Sequence, residues 1–257
     1  MNEAKHTGAL VVRGLSVVRD GRALLTNADA TFARGQVHAV VGRSGAGKSV
    51  LMKAATGLLE ASAGIVTLDD VTARAGDARA FAALRARVVF VHQDPALLDD
   101  LTVEENVAFA RARTAVGGDV AGDVSRVLSS LGLVDVARRL PREISPGQQR
   151  TAAFARALVL TPDFLVVDEP TTGIDPSGAR AVYRALAEVF ARGTTLVVVT
   201  HDRRLLAALT PRLVTVHEGR VAFEGSLDDA RRLRPPPLDA LLFDDDARTA
   251  ARPLESP

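Results

Sequence analysis

The amino-acid sequence predicts an α/β fold organised around a mainly parallel sheet. Three observations predict it. Apolar Val37-His38-Ala39-Val40-Val41 runs into the octet Gly42-Arg43-Ser44-Gly45-Ala46-Gly47-Lys48-Ser49 and then into helix-like Val50-Leu51-Met52-Lys53-Ala54-Ala55. Apolar Phe164-Leu165-Val166-Val167 runs into the adjacent carboxylates Asp168 and Glu169. Strand-like and helix-like segments then alternate through the second half, the pattern of parallel strands joined by helical crossovers.

Leu10 to Val18 and Leu24 to Phe32 read as β segments split by the hairpin-like turn Arg19-Asp20-Gly21-Arg22. Gln36 to Val41 reads as a buried strand feeding the glycine octet. Gly64 to Leu68 and Arg87 to Val91 are further strands, the second ending at His92-Gln93, so the N-terminal third is expected to be β-rich with one helix. After Gln93 the pattern turns helical. Thr102-Val103-Glu104-Glu105 fits a capping box, Val120 to Leu133 has helical spacing, and Pro146 to Leu160 reads as a third helix. Strands return at Phe164 to Val167, Thr195 to Val199 and Arg212 to Val216, with a helix from Pro176 to Arg192 capped by Asp175 between the first two. Pro235-Pro236-Pro237 begins a stiff segment, followed by an apolar cluster of Leu238, Leu241, Leu242 and Phe243 and an acidic end that reads as disordered.

Composition narrows the function. At 257 residues with 47% hydrophobic side chains, the chain suits one large domain or a domain with a subdomain. Its 32 basic and 31 acidic residues leave a net charge of +1, so no global field favours nucleic acid, and none is expected as a partner. No apolar run approaches the ~18 residues that a membrane span needs. Met1 to Gly14 lacks the charged-then-apolar order of a signal peptide, which makes the cytoplasm the expected compartment. The absence of cysteine excludes disulfides and thiolate metal sites.

The octet has the form G-x-x-x-x-G-K-[ST]. A strand that ends in a glycine-rich turn and opens a helix aims several backbone N–H groups and a helix N-terminus at one point, which suits a polyphosphate. Lys48 is placed to bind the β- and γ-phosphates of a nucleotide, and the Ser49 hydroxyl to hold Mg²⁺. Only three lysines occur in the chain, at 5, 48 and 53, so a lysine where the octet demands one is informative. In the carboxylate pair, Asp168 is expected to reach Mg²⁺ and Glu169 to polarise the attacking water. Successive positions at a strand end point in different directions, which would separate the two jobs.

These residues, with others in order, resemble the ATP-binding cassette (ABC) family from about Leu10 to about Gly225. Gln93 matches the family's Q-loop glutamine, implied to be a Mg²⁺ ligand. Ile144-Ser145-Pro146-Gly147-Gln148 resembles the signature Leu-Ser-Gly-Gly-Gln, which implies that Ser145, Gly147 and Gln148 address the γ-phosphate held by a partner subunit. Pro170 to Asp175 covers the D-loop, and His201 matches the switch histidine that touches the γ-phosphate. The resemblance implies a P-loop NTPase with a RecA-like core, an antiparallel β subdomain and a helical subdomain at about 94–160. The cassette would span 8–225 and a C-terminal tail 226–257. The implied active unit is a homodimer or a pair with a paralogous cassette, joined to transmembrane permease subunits on the inner face of the membrane and served by a substrate-binding protein.

Two departures stand out. Pro146 replaces a glycine and removes one N–H from a phosphate-facing helix start, although proline is comfortable at the first helical position and leaves Ser145 free to cap. No aromatic residue lies between Val11 and Thr31 to stack on adenine; Arg19 occupies about that position, and a guanidinium plane can stack on a base. The run Pro95 to Phe109 looks most like the ATPases of Mce/Mla-type phospholipid transporters, with Leu98 in place of an expected phenylalanine; the alternatives are the ATPase of a small-solute importer or exporter, in which related runs occur, and after those a soluble non-transport ABC ATPase. The apolar tail cluster is expected to dock on a cassette surface.

Overall fold

The computed structural model of the protein describes residues 8–112, 118–174, 176–235 and 238. The first half contains β1 (Ala9–Arg19), β2 (Arg22–Ala33), β3 (Val37–Val41), α1 (Lys48–Ala55), β4 (Ala63–Leu68), β5 (Val71–Arg74), α2 (Ala78–Arg85), β6 (Val88–Val91) and α3 (Val103–Ala112). The second contains α4 (Val120–Ser130), α5 (Pro146–Leu158), β7 (Phe164–Asp168), α6 (Pro176–Ala191), β8 (Thr195–Val199), α7 (Arg203–Leu209), β9 (Arg212–His217), β10 (Arg220–Gly225) and α8 (Leu227–Leu233).

Two sheets organise these elements. β2-β1-β4-β5 is antiparallel, and β10-β9-β3-β8-β7-β6 is parallel except for β10. Their sequences differ accordingly. β1 alternates, with Leu10, Val12, Leu15 and Val17 fully buried on one face, whereas β3, β7 and β8 are buried at every position because layers cover both faces. Val40, Val166 and Val197 point into a core shared with α1 and the antiparallel sheet; Leu165, Val167, Leu196 and Val198 point into a second core shared with α3 to α6. Each such side chain contributes about 1.5–3 kcal/mol relative to exposure. The expected α/β P-loop architecture, with an antiparallel sheet and helices inserted after β6, is the one observed.

An ion-pair network ties the sheets together at the N-terminal ends of the parallel strands. Arg34 donates to Asp69 (2.7 Å) and Asp163 (3.0 Å), and Arg87 donates to Asp163 (2.9 Å) and also to Asp69. Burial works against ionisation of Asp69 and Asp163, but the hydrogen bonds from both arginines outweigh it and hold these carboxyls below the ordinary range.

The structure corrects several expectations. The N-terminal third holds two helices: α2 follows Asp77, whose side chain accepts from the Ala80 N–H and so caps a segment too short to show a clear period. β5, α7, β10 and α8 add four more short elements that the pattern did not mark. α4 stops at Ser130, where Gly132 at φ +67° turns the chain, three residues short of the expected end. α5 ends at Leu158, ahead of Thr161 at φ +49°. The expected cap Asp175, Pro236-Pro237 and the apolar residues 241–243 lie outside the described residues. Among the described residues, no helix is long and apolar enough to cross a membrane.

Candidate nucleotide site

Strand register assembles the site. Val40 pairs with Val199 and Asp168 with Val199, so the C-terminal ends of β3, β8 and β7 stand side by side. Gly42, Glu169 and His201, each just past the end of its strand, therefore meet at one edge of the sheet. Glycine is required at two points of the loop. A Cβ on Gly42 would stand 2.3 Å from the Val216 carbonyl oxygen, and Gly47, the N-cap of α1, holds φ +104° with the Leu24 carbonyl 3.1 Å from its would-be Cβ. Arg43, Ser44 and Gly45 are exposed at the loop tip, Ala46 is buried beneath it, and Val50 packs into the first core.

Lys48 is buried, and its Nζ donates to the carbonyls of Gly42 and Arg43, both at 3.1 Å. Ser49 Oγ donates to Asp168 Oδ1 at 2.9 Å. Burial raises the Asp168 carboxyl above its ordinary value, against the Ser49 hydrogen bond and the charge of Lys53, which lower it. A hydroxyl and a carboxylate in contact beside a phosphate loop are the hard oxygen donors that Mg²⁺ takes, so these residues fit that ion.

Glu169 lies outside β7, and its direction comes from the backbone and not from strand alternation. It adopts φ +46°, unusual for a residue with a side chain, with its N–H donating to the Val199 carbonyl at 2.8 Å. Oε1 then stands 3.0 Å from His201 Nδ1 and 3.9 Å from Lys48 Nζ, while Oε2 accepts from the Thr172 hydroxyl at 3.4 Å. Behind it, Arg150 of α5 donates to the carbonyls of Glu169 (3.4 Å) and Thr172 (3.0 Å). Asp202 accepts from the Tyr183 hydroxyl (2.6 Å) and the Thr171 hydroxyl (2.9 Å) and caps α7, fixing the residue after His201. Burial first, and that hydrogen bond second, push the Tyr183 phenol up to about 12.

Gln93 is exposed two residues past β6, at the same sheet edge. Ser145 caps α5 in a reciprocal capping box with Gln148, and Pro146 takes the first helical position without disturbing it. Gly147 is buried against Gly178 and Ile174. Among the described residues, no hydrogen bond or ion pair joins Ser145, Gly147 or Gln148 to residues 42–50. Arg19 is exposed at the β1–β2 turn. That hairpin is laced to the loop, because Gly219 donates to the Ala46 carbonyl (3.0 Å) and its own carbonyl accepts from Thr26 N–H (2.7 Å). The sequence reading missed Arg150, Tyr183 and Asp202, and placed Thr171 and Thr172 in the D-loop without assigning their hydroxyls a partner. The exposed apolar Val18, which precedes Arg19, and Leu24, near the start of β2, were also missed. A cavity of about 550 Å³ lies at the opposite strand ends and is lined by the Arg34–Asp163 network, remote from the phosphate loop.

A glycine loop between a buried strand and a helix, facing an Asp-Glu strand end and a histidine, defines a P-loop nucleotide hydrolase. Residues 25–172 match the family model described as ABC transporter. The methionine import ATP-binding protein MetN of Carboxydothermus hydrogenoformans is 32% identical over 86% of this chain and 67% of its own length. The aliphatic sulfonates import ATP-binding protein SsuB of Cupriavidus necator is 37% identical over 87% of this chain and 71% of its own. The dimeric post-hydrolysis structure of the ATP-binding cassette MJ0796, bound to ADP and Pi, superposes with a TM-score of 0.72 at 26% identity, covering 86% of this chain and 99% of that one. The chain belongs to the ABC transporter family; it binds ATP and is an ATPase.

Proposed function

We propose that this chain is the ATP-hydrolysing subunit of a small-solute importer, working as a dimer of cassettes on the inner face of a membrane and coupled to permease subunits and a substrate-binding protein. The observation that carries the chemistry is the convergence of Lys48, Ser49, Asp168, Glu169 and His201 at one sheet edge. Amides of 43–49 and the α1 N-terminus cradle the phosphates, with Lys48 neutralising β- and γ-oxygens. Ser49 and Asp168, with Gln93, would hold Mg²⁺, which when bound screens phosphate charge. Glu169 orients the attacking water and takes up its proton, and His201 contacts the γ-phosphate as the bond to the β–γ bridging oxygen breaks. Ser145, Gly147 and Gln148, remote from their own loop, complete the partner's site. Arg19 with Val18 and Leu24 offers a face for adenine.

The cargo reading follows the relatives. Those named for methionine and sulfonate import favour a small solute over the phospholipid implied by the run Pro95 to Phe109. That run has a structural duty of its own. Asn106, fully buried, donates to the carbonyls of Leu98, Leu101 and Thr102 and accepts from the Leu98 N–H, so it folds the loop ahead of α3 whatever is transported. Purification of the complex from native membranes tests this. A co-purifying solute-binding protein that takes up an amino acid or sulfonate supports the reading, and phospholipid in a pocket-forming partner overturns it.

A further inference from the structure

We propose that Arg150 is a positioning residue through which the signature end of α5 sets the backbone of Glu169 in the same subunit. The inference rests on the dimer reading above, in which Ser145 and Gln148 meet the partner's nucleotide. Arg150 follows Gln148 by two residues, inside the first two turns of α5. Those turns are braced as a unit: Ser145 and Gln148 exchange hydrogen bonds, Gln149 Nε2 donates to the Pro141 carbonyl (2.9 Å), and Thr151 Oγ1 donates to the Gly147 carbonyl (2.9 Å). A displacement of the signature therefore carries Arg150 with it.

At its far end the guanidinium grips main chain. Its two terminal nitrogens reach the carbonyls of Glu169 and Thr172, the residues on either side of the turn that starts at the strained φ +46°. A planar fork can span two carbonyls in fixed geometry, whereas an ammonium cannot. The group is half-buried, burial lowers its pKa against the opposing charge of Asp94, and both groups it hydrogen-bonds are main-chain carbonyls. A charge placed this way orients a backbone segment; it does not form a simple surface ion pair. The segment it orients holds Oε1 of Glu169 between His201 and Lys48. Each copy's water-activating carboxylate would thus answer to whether its own signature is engaged by the other copy.

The test compares the wild-type chain with Arg150→Lys, each also in a Glu169→Gln background, by steady-state ATPase assay and by affinity for a non-hydrolysable ATP analogue. The expected result is a tenfold or greater loss of kcat in Arg150→Lys, with KM and analogue affinity within about twofold of wild type, and no further loss once Glu169 is already Gln. A rate within twofold of wild type, or losses that multiply with Glu169→Gln, would overturn the inference. Hydrogen exchange on the wild-type chain keeps it testable if the variant misfolds: with the analogue, segments 145–152 and 169–172 should gain protection together, and protection of one alone counts against the link. A wild-type chain that neither hydrolyses ATP nor dimerises would overturn the dimer reading as well, whereas an active wild type with an unaffected Arg150→Lys overturns this inference alone.

Discussion

Glu169 shows how a single backbone angle aims a side chain, its φ of +46° accompanying an Oε1 that stands 3.0 Å from His201. The apolar run ending in Asp168-Glu169 was legible from composition alone, as were the octet and His201, because each depends on neighbours within a few residues. The angle that turns Glu169 toward His201 was not, since the groups that hydrogen-bond its backbone, the Val199 carbonyl and Arg150, come from distant segments. The hydrogen bonds of Tyr183 and Thr171 to Asp202 were hidden for the same reason, since they cross 19 and 31 residues of sequence. Arg19 is the reverse case, a residue singled out by position, at the turn of a hairpin whose second strand is tied to the phosphate loop at Thr26 through Gly219. Arg19→Ala should weaken ATP binding by about 0.5–2 kcal/mol, and Arg19→Tyr should restore it, as read by titration with a fluorescent ATP analogue. Unchanged affinity in both variants would return Arg19 to a solvated turn.

At the scale of elements, the parallel strands were legible because burial on both faces writes them as continuous apolar runs. α2, α7, β5, β10 and α8 have four to eight residues each and owe their form to caps and to packing on elements distant in sequence. Asn106 is the clearest case of an element held by one polar side chain. Asn106→Ala should cost about 2–3 kcal/mol in urea unfolding, because it leaves main-chain groups of the 98–102 loop without partners. The Arg34–Asp163 network makes a pH prediction. Asp163 has a depressed folded-state pKa, so its contribution is present above the ordinary carboxyl value and is lost as pH falls through the folded one. Asp163→Asn should therefore lower stability at pH 7 by about 1–2 kcal/mol, limited because the side chain is 39% exposed, and the gap to wild type should close below about pH 4. Urea melts at the two pH values check it; an equal gap at both would contradict the pairing.

Over the whole molecule, the sequence motifs located the phosphate loop, the Asp-Glu strand end and the histidine, and the fold brings these three together while holding the signature apart at the start of α5. Cargo was not legible, since residues that bind ATP carry no information about what crosses the membrane. The chain's far end also bears on the fold. Leu238, expected to dock, is fully buried with Ala39, Val41, Leu206, Leu213 and Ala230 behind the phosphate-loop strand. Leu238→Ala should lower stability by about 2–3 kcal/mol, read as a shift in the urea midpoint; no shift would show that this contact is dispensable.

In the proposed function, Glu169 activates water for a nucleotide held by Lys48 in a site completed by a second cassette. Light scattering of purified Glu169→Gln with and without ATP tests it most directly, with hydrolysis followed in the same sample. Glu169→Gln should convert to a stable dimer when ATP is added, with hydrolysis reduced by roughly 10²–10⁴-fold, and should lose that dimer when Lys48→Ala is added. Hydrolysis at the wild-type rate, or an unchanged molecular mass with ATP bound, would contradict it.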